Sequence, residues 1–156
     1  MGLEIERKYL VDGESWRDTA CAGVPMLQGY VSVTPEHTVR VRVAGTRGFL
    51  TLKGGHCGIR RQEFEYEIPE TDAREMLMLF CRDRLVSKVR YPVMVGGRLW
   101  TVDVFDGNNR GLVVAEIELP SEETAFPMPE WAGAEVSGDR RYSNAALSAR
   151  PYVTWQ

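Results

Sequence analysis

The feature that most constrains the fold of this chain is an alternation of charged and apolar residues with a period of two. In the segment "LEIERKYL", Glu4, Glu6 and Lys8 fall on one parity, and Leu3, Ile5 and Tyr9 fall on the other. Successive side chains of a β-strand point to opposite faces, so these three charges would share one face. Arg7 is the exception, because it lies on the apolar parity. The pattern predicts a chain built mainly of β-strands.

The same separation recurs in "TVRVRV", "TLK", "RRQEFEYEIP", "KVRY", "VDVF" and "AEIEL". The polar positions of these segments are nearly all Arg, Lys, Glu or Asp, often paired at i and i+2. With the first segment they provide seven cations and seven carboxylates, which are Lys8, Arg40, Arg42, Lys53, Arg61, Lys88 and Arg90 and Glu4, Glu6, Glu63, Glu65, Asp103, Glu116 and Glu118.

Two interpretations of the charged face are open. An antiparallel sheet with one solvated face produces such an alternation without any function. The balanced and strongly charged set favours instead a face that lines an interior. If the sheet closed with this face inward, the result would be a polar tunnel, since a barrel of about eight strands is just wide enough to hold one small ligand.

Helices are predicted at only three places. A short helix is expected near residues 14–20, and a final one near 139–149. The strongest helical pattern is "TDAREMLMLFC", with Thr71 or Asp72 as its N-terminal cap. This helix is expected to cover the apolar side of the sheet with Met76, Leu77, Leu79 and Phe80.

Composition excludes several classes of protein. A length of 156 residues predicts a single domain over 1–156. The formal net charge of −3 provides no overall attraction to nucleic acid. Three cysteines without a metal-ligand spacing argue against a disulfide framework or a zinc site. No apolar run approaches the roughly 18 residues of a membrane span, so we expect a cytoplasmic protein without nucleic-acid or membrane partners.

The chemistry of the charged residues indicates the class of ligand. Carboxylates bind hard divalent cations such as Mg²⁺ and Mn²⁺, which usually share oxygen ligands with substrate phosphates. Arginine binds phosphate oxygens in a bidentate manner, and lysine binds them as a point charge. A linear polyphosphate with bound metal satisfies both sets of groups.

The order of the motifs carries a family resemblance. The segments "EIERK", "QGY", "RVR", "TLK", "RQEFEYEI", "KVRY", "VDVF", "VVAEIEL" and "GDRRYSNAAL" resemble the CYTH family of triphosphate tunnel metalloenzymes over essentially the whole chain. The resemblance implies a mainly β fold with peripheral helices (α+β), a closed eight-stranded antiparallel β-barrel forming a polar tunnel. The chain is most similar to the small bacterial members that hydrolyse inorganic triphosphate.

The resemblance also implies roles for individual residues. The metal carboxylates would be Glu4, Glu6, Glu116 and Glu118, with two ions of Mg²⁺ or Mn²⁺ expected. Phosphate would be bound by Lys8, Arg40, Arg42, Lys53, Arg61, Lys88, Arg90 and Arg141.

Some assignments within this set stay open. Lys8 and Lys88 are the candidate catalytic residues, and Lys8 could position either the attacking water or the terminal phosphate. Glu63, Glu65 and Asp103 could hold metal, but pairing with the arginines is favoured.

The predicted activity is metal-dependent hydrolysis of inorganic triphosphate to pyrophosphate and phosphate. Action on nucleoside or thiamine triphosphate, or cyclisation of ATP, is the alternative within the family. A polyphosphate or nucleotide sensor without catalysis is the alternative outside enzymes. The resemblance also makes a homodimer plausible.

Overall fold

The computed structural model describes residues 2–155 and is dominated by antiparallel strands. The strands are β1 (Gly2–Val11), β2 (Val24–Val33), β3 (His37–Ala44), β4 (Arg47–Gly54), β5 (Arg60–Ile68), β6 (Leu85–Val95), β7 (Arg98–Phe105), β8 (Val113–Glu118) and β9 (Ala132–Glu135). The helices are α1 (Glu70–Phe80) and α2 (Asn144–Ala149), and 3-10 turns span Ser15–Thr19, Gly107–Asn109, Arg140–Tyr142 and Tyr152–Thr154.

Eight strands close into a barrel. They are hydrogen-bonded in the order β5-β4-β3-β2-β6-β7-β8-β1, and β1 pairs again with β5. In the closing pairs, Glu4 of β1 lies opposite Arg61 of β5, and Lys8 lies opposite Glu116 of β8. The predicted closed, eight-stranded antiparallel barrel is therefore confirmed. The short strand β9 adds to the C-terminal half of β1 and was not predicted.

The apolar parity of the strands faces outward and packs under covering segments. Trp100 of β7 makes ring contacts with Tyr9 of β1 and with Trp131, at centroid distances of 5.5 Å in both cases. The 3-10 turn Ser15–Thr19 contributes the buried Trp16, so the helix expected near 14–20 is present as this shorter turn. Arg7, on the same outer parity, donates to Glu135 of β9 at 2.9 Å. An ion pair thus accounts for the one charge on the apolar parity of β1.

Helix α1 covers part of the sheet, but with a different face from the one predicted. Ala73 and Leu77 are buried against β3, whereas Leu79 and Phe80 are 71% and 61% exposed. The prediction that Leu79 and Phe80 cover the sheet is wrong, because residues two apart on a helix point to different sides and Phe80 ends the helix. Met76 is half-buried beside Leu77, as expected.

The start of α1 also differs from the prediction. The helix begins at Glu70, directly after Pro69, and Pro69 caps it without a side-chain hydrogen bond. Thr71 and Asp72 therefore lie within the first turn and are not caps. Proline already has the φ angle of a helix, which allows the helix to begin directly after β5.

The C-terminal segment closes one end of the barrel. The helix expected near 139–149 is divided into the 3-10 turn Arg140–Tyr142 and α2, and the Ser143 hydroxyl accepts a hydrogen bond from the Ala146 amide to cap α2. Leu147 of α2 is completely buried against Val86 and Phe105. Within residues 2–155, no helix is long and apolar enough to cross a membrane.

Candidate active site

The charged parity of the strands faces the interior of the barrel, where it surrounds a cavity of about 250 Å³. Ten of the fourteen charged residues singled out from the sequence line this cavity, so the interpretation as a solvated outer face is wrong. The lining consists of Glu4, Glu6, Arg40, Arg42, Lys53, Glu63, Glu65, Arg90, Leu99, Thr101, Glu116, Glu118 and Asn144.

Two of the predicted metal carboxylates lack a cation close by. Among residues 2–155, neither Glu6 nor Glu118 has a lysine or arginine nitrogen within 4.0 Å. Burial, together with the neighbouring carboxylates Glu116 and Glu4, raises the pKa of Glu6 to about 8. Burial also raises the pKa of Glu118, with a contribution from Glu4. The ionised forms of Glu6 and Glu118 are therefore disfavoured in this part of the cavity unless a further cation binds there.

The other two predicted metal carboxylates are paired. Lys53 Nζ lies 3.0 and 2.9 Å from the two carboxylate oxygens of Glu4. Glu116 lies 3.8 Å from Lys8 Nζ and 3.6 Å from Arg90 Nη2. Burial alone would raise the pKa of Glu116, but Lys8 and Arg90 lower it to about 2. Glu116 is therefore ionised throughout the neutral range.

The carboxylates of the cavity can provide only part of the ligands of a divalent metal, and the rest must come from substrate and water. In the described residues, no group of three or more His, Cys, Asp or Glu side chains is arranged to hold a metal ion by itself. Mg²⁺ is usually bound by one or two carboxylates together with substrate phosphates and water. The oxygen donors of Glu6 and Glu118 suit such a cation, because it would stabilise the ionised carboxylates that the cavity alone disfavours.

Asp103 forms the centre of a buried ion-pair cluster. Its side chain and that of Lys88 have no exposed surface, and their charged atoms lie 2.7 Å apart. Arg90 donates to both oxygens of Asp103, at 2.7 and 2.8 Å. Burial would raise the pKa of Asp103, but Arg90 and Lys88 hold it well below its usual range. This placement supports the pairing role that the sequence analysis favoured for Asp103.

The two candidate catalytic lysines are anchored by the C-terminal segment. Lys8 Nζ donates to the carbonyl oxygen of Tyr142 at 3.3 Å, and Lys88 Nζ donates to Asn144 Oδ1 at 3.1 Å. Burial lowers the pKa of Lys88 to about 7, in spite of Asp103 beside it. For Lys8, Glu116 and Glu6 outweigh the effect of burial and raise the pKa. The amines of both residues thus reach the closed end of the barrel.

Glu63 and Glu65 also contact cations. Lys53 bridges Glu63, at 3.1 Å, and Glu4. Arg40 Nη2 lies 3.2 Å from Glu65, which also accepts a hydrogen bond from the Thr51 hydroxyl at 2.8 Å. The Nε of Arg40 is buried and has no hydrogen-bond partner in the described residues. The arginine is therefore held by one carboxylate but is only partly satisfied by it.

Three of the predicted phosphate-binding arginines have other partners. Arg42 contacts the amide of Gln28, with Nε donating to Oε1 at 2.9 Å. Arg61 donates to the carbonyl oxygen of Gly54, at 3.0 and 2.7 Å. Arg141 is 62% exposed in its side chain and pairs with Asp139 at 2.6 Å. The structure does not bring Arg141 into the cavity, and its role in binding phosphate stays a prediction.

Sequence reasoning missed the neutral residues Thr51, Thr101 and Asn144 of the site, and for Gln28, which matches a position of the family, it left a structural role and a role in the site equally open. Gln28, Thr51, Thr101 and Asn144 either line the cavity or bond to its cations. Strand parity could have found the first three, since Gln28 shares parity with Tyr30, Thr51 with Lys53 and Thr101 with Asp103. Thr51, Thr101 and Asn144 carry no charge, so the pattern of charges did not indicate them.

Comparison with known proteins agrees with this geometry. The family model for the CYTH domain matches residues 2–152. A relative from Acetivibrio thermocellus named inorganic triphosphatase is 47% identical over 156 residues, covering 100% of this chain and 99% of its own. A second protein of that name, from Nitrosomonas europaea, is 41% identical over 150 residues, covering 93% of this chain and 96% of its own.

Solved structures show the same fold. A crystal structure described as that of an inorganic triphosphatase is 40% identical, with a TM-score of 0.64 and 93% of each chain covered. The PH1012 protein from Pyrococcus horikoshii OT3 is 17% identical and covers 76% of this chain and 79% of its own, with a TM-score of 0.60. The family match, the two relatives and the charged barrel agree, and the chain belongs to the CYTH family.

Proposed function

We propose that this protein hydrolyses inorganic triphosphate to pyrophosphate and phosphate inside its barrel, with the help of a divalent metal. The observation that carries the proposal is the arrangement of uncompensated charge around one cavity. In the described residues, Arg42 has no carboxylate oxygen within 4.0 Å. Neither Glu6 nor Glu118 has a lysine or arginine nitrogen within the same distance. A phosphate chain with bound metal would compensate both.

The size and lining of the cavity support inorganic triphosphate over larger substrates. Pockets for drug-sized ligands usually measure roughly 300–1,000 Å³ and are mostly apolar, whereas this cavity is about 250 Å³ and mostly charged. Leu99 is the one apolar residue in the described lining, and no aromatic ring is part of it. An adenine or thiamine ring would find little to pack against. Both relatives named above are inorganic triphosphatases.

Membership in the CYTH family implies a divalent-metal requirement. We propose Mg²⁺ or Mn²⁺, two ions for each site, held by Glu4, Glu6, Glu116 and Glu118 together with phosphate oxygens. When bound, such ions would neutralise phosphate charge and lower the pKa of water.

The side chains of this protein would contribute binding, orientation and charge stabilisation. Arg40, Arg42 and Arg90 would bind and orient the phosphate chain, and their fixed charges would stabilise negative charge on the leaving pyrophosphate. Lys8, held by Glu116 and the Tyr142 carbonyl, would orient the terminal phosphate or the attacking water. The water oxygen would attack the terminal phosphorus as the bond to the bridging oxygen breaks, so no covalent intermediate on the protein is required.

The experiment compares phosphate release from inorganic triphosphate, ATP and thiamine triphosphate under identical conditions. Reactions contain Mg²⁺ or Mn²⁺, with EDTA as the control, and cyclic AMP is measured in the ATP reaction. Metal-dependent release that is fastest with inorganic triphosphate supports the proposal. Faster release from ATP or thiamine triphosphate, production of cyclic AMP, or binding without turnover would each overturn it in favour of the corresponding alternative.

We further propose a cytoplasmic homodimer. Support for self-association comes from the solvent side of α1, where Met78, Leu79 and Phe80 are 67%, 71% and 61% exposed. Adjacent exposed apolar side chains of this kind often mark an interface. Light scattering coupled to size-exclusion chromatography tests the dimer, and a mass of 17.6 kDa at all concentrations would contradict it.

A further inference from the structure

Arg42 differs from the other cations of the barrel in its immediate surroundings. Lys8, Arg40, Lys53, Lys88 and Arg90 each have a carboxylate oxygen within 4.0 Å. Within the described part of the chain, Arg42 and Arg61 do not. Arg61 is only partly buried and bonds to a backbone carbonyl, whereas Arg42 is 9% exposed and lines the cavity.

The side chain that takes the place of a carboxylate at Arg42 is Gln28. Gln28 lies directly opposite Arg42 in the pairing of β2 with β3 and is completely buried. Its Oε1 accepts from Arg42 Nε at 2.9 Å, and its Nε2 donates to the Tyr30 hydroxyl at 3.1 Å. Both ends of the amide are therefore used, and the plane of the guanidinium is held by a neutral group.

This arrangement leaves the binding capacity of Arg42 intact. The one side-chain hydrogen bond of Arg42 to residues 2–155 uses Nε, so the terminal nitrogens Nη1 and Nη2 are available to the cavity. A glutamate has the same shape as glutamine, but it would compensate the guanidinium before any ligand arrived. A buried arginine without a counter-charge is unfavourable for folding. The neutral amide of Gln28 therefore favours ligand binding at the expense of the stability of the folded protein.

We propose that Gln28 is a positioning residue that orients Arg42 while leaving its positive charge uncompensated, so that a phosphate group of the substrate becomes its counter-ion. The inference rests on the proposed function in that it takes the anion to be inorganic triphosphate. It adds a neutral residue to the site and gives the reason for its neutrality.

The test compares Gln28→Glu and Gln28→Met with Gln62→Glu as the matched control. Gln62 lies on β5 and is exposed on the outside of the barrel, so the same chemical change there leaves the cavity untouched. Calorimetry measures the binding of inorganic triphosphate in EDTA, which prevents the introduced carboxylate from acting through a metal. Thermal unfolding without ligand is followed for each variant, and turnover is measured separately with Mg²⁺.

We expect Gln28→Glu to weaken triphosphate binding by roughly 10- to 100-fold and to raise the unfolding midpoint. Gln28→Met removes the orienting hydrogen bond but keeps the charge of Arg42 free, so it should bind more weakly than wild type and more tightly than Gln28→Glu. Gln62→Glu should match the wild type. In turnover assays with Mg²⁺, the KM of Gln28→Glu should rise far more than its kcat falls.

Several results would overturn the inference. Affinity of Gln28→Glu equal to that of the wild type would show that the charge of Arg42 is not used. If Gln28→Glu does not fold, Gln28→Met decides, because unchanged affinity there would exclude a positioning role. If the variants change binding as expected but the wild type shows no turnover, the proposed function alone is overturned. A wild type that binds no triphosphate in EDTA and no imido analogue of triphosphate with Mg²⁺ would overturn both proposals.

Discussion

Asp103 is the carboxylate that pairs with both the buried Lys88 and the partly buried Arg90. It accepts a hydrogen bond from Lys88 Nζ at 2.7 Å and one each from Nε and Nη2 of Arg90. Asp103→Asn would leave Lys88, which has no exposed surface, without its ionic partner. Removing one member of a buried ion pair usually costs about 3–5 kcal/mol. We expect a decrease of that order in the free energy of unfolding, measured by urea denaturation.

The matched control is Asp139→Asn. Asp139 pairs with Arg141 on the surface, where the arginine side chain is 62% exposed. Exposed pairs contribute about 0–1 kcal/mol, so this variant should unfold almost like the wild type. Equal losses in the two variants would contradict the assignment of Asp103 as the centre of the buried cluster.

Glu6 makes the stability of the metal-free protein depend on pH. Burial and the neighbouring Glu116 and Glu4 raise its pKa from 4.5 to about 8. Between these values the unfolded chain has lost the proton that the folded protein keeps, so the free energy of unfolding falls as pH rises. Glu6→Gln removes this effect. At pH 9 in EDTA we expect the variant to be more stable than wild type by on the order of 2 kcal/mol, with little difference at pH 4.5.

Glu63 provides a control of opposite sign. Burial raises its pKa, but Lys53 lowers it more, so the net pKa lies below the usual value. The carboxylate of Glu63 therefore stabilises the folded protein above pH 4.5, and Glu63→Gln should lower the unfolding midpoint at pH 9. A Glu6→Gln variant that is also less stable at pH 9 would show that Glu6 is compensated in the folded protein.

Strand parity predicted which residues face the interior, but it could not predict their pairing. Glu4, Glu6 and Lys8 all face inward as expected, because alternation along a strand is a local property. That Lys53 contacts Glu4 depends on the alignment of β4, β5 and β1 around the barrel. The role of Gln28 stayed open in the sequence because it follows from the charge of Arg42, which lies opposite to it.

At the scale of elements, α2 holds the closed end of the barrel in place. Leu147 is completely buried among Val86, Phe105 and Leu112, and Asn144 of the same helix bonds to Lys88. Leu147→Ala would leave a cavity in this cluster and should cost about 2–5 kcal/mol of stability. Looser anchoring of α2 should also lower turnover at temperatures at which the variant is still folded.

Leu52→Ala is the matched control, since Leu52 lies on the outer face of β4, rather than on α1, and is 43% exposed. Substitutions at such positions usually change stability by less than about 0.5 kcal/mol. Urea denaturation and phosphate release are measured on both variants. Wild-type stability and turnover in Leu147→Ala would mean that α2 is dispensable for the closed end.

The elements that were predicted poorly are those without a strong local pattern. Strand β9 has the sequence "AGAE", which lacks the alternation of the barrel strands, and it forms because β1 offers it an edge. The start of α1 was misplaced because Pro69 caps it without a side-chain bond. The solvent face of α1 carries Met78 and Leu79, so helical spacing alone could not show which side packs on the sheet.

At the scale of the whole molecule, the balance of charges was the property that indicated closure. Equal numbers of cations and carboxylates on one face favour a face that lines an interior, and closure of β1 on β5 then brings Glu4 within reach of Lys53. The conformation of loops and terminal segments is set by tertiary contacts that no local pattern encodes. Arg141 illustrates this limit. Its position in the motif "GDRRYSNAAL" matches a phosphate-binding residue of the family, yet its side chain pairs with Asp139 on the surface.

The same distribution of charge predicts that metal and triphosphate bind cooperatively. Mg²⁺ alone would compensate the carboxylate of Glu6 but would add positive charge near the arginines, and triphosphate alone would compensate Arg42 but would add negative charge near the carboxylates. Bound together, they compensate both Arg42 and Glu6. We expect Mg²⁺ alone and an imido analogue of triphosphate alone to give small shifts of the unfolding midpoint. Together at about 100 times the dissociation constant they should stabilise the protein by about 2.7 kcal/mol, or roughly 5–10 °C for a chain of this size.

The measurement is thermal unfolding with Mg²⁺, with the analogue and with both, in wild type and in Arg42→Gln. A shift with both ligands that exceeds the sum of the separate shifts shows coupling, because each ligand then raises the affinity for the other. Arg42→Gln lowers the positive charge of the cavity and should reduce the shift with the analogue while the protein stays folded. Shifts that simply add in the wild type would mean that the two ligands bind at independent places, and the barrel would then not act as one site for a metal–triphosphate complex.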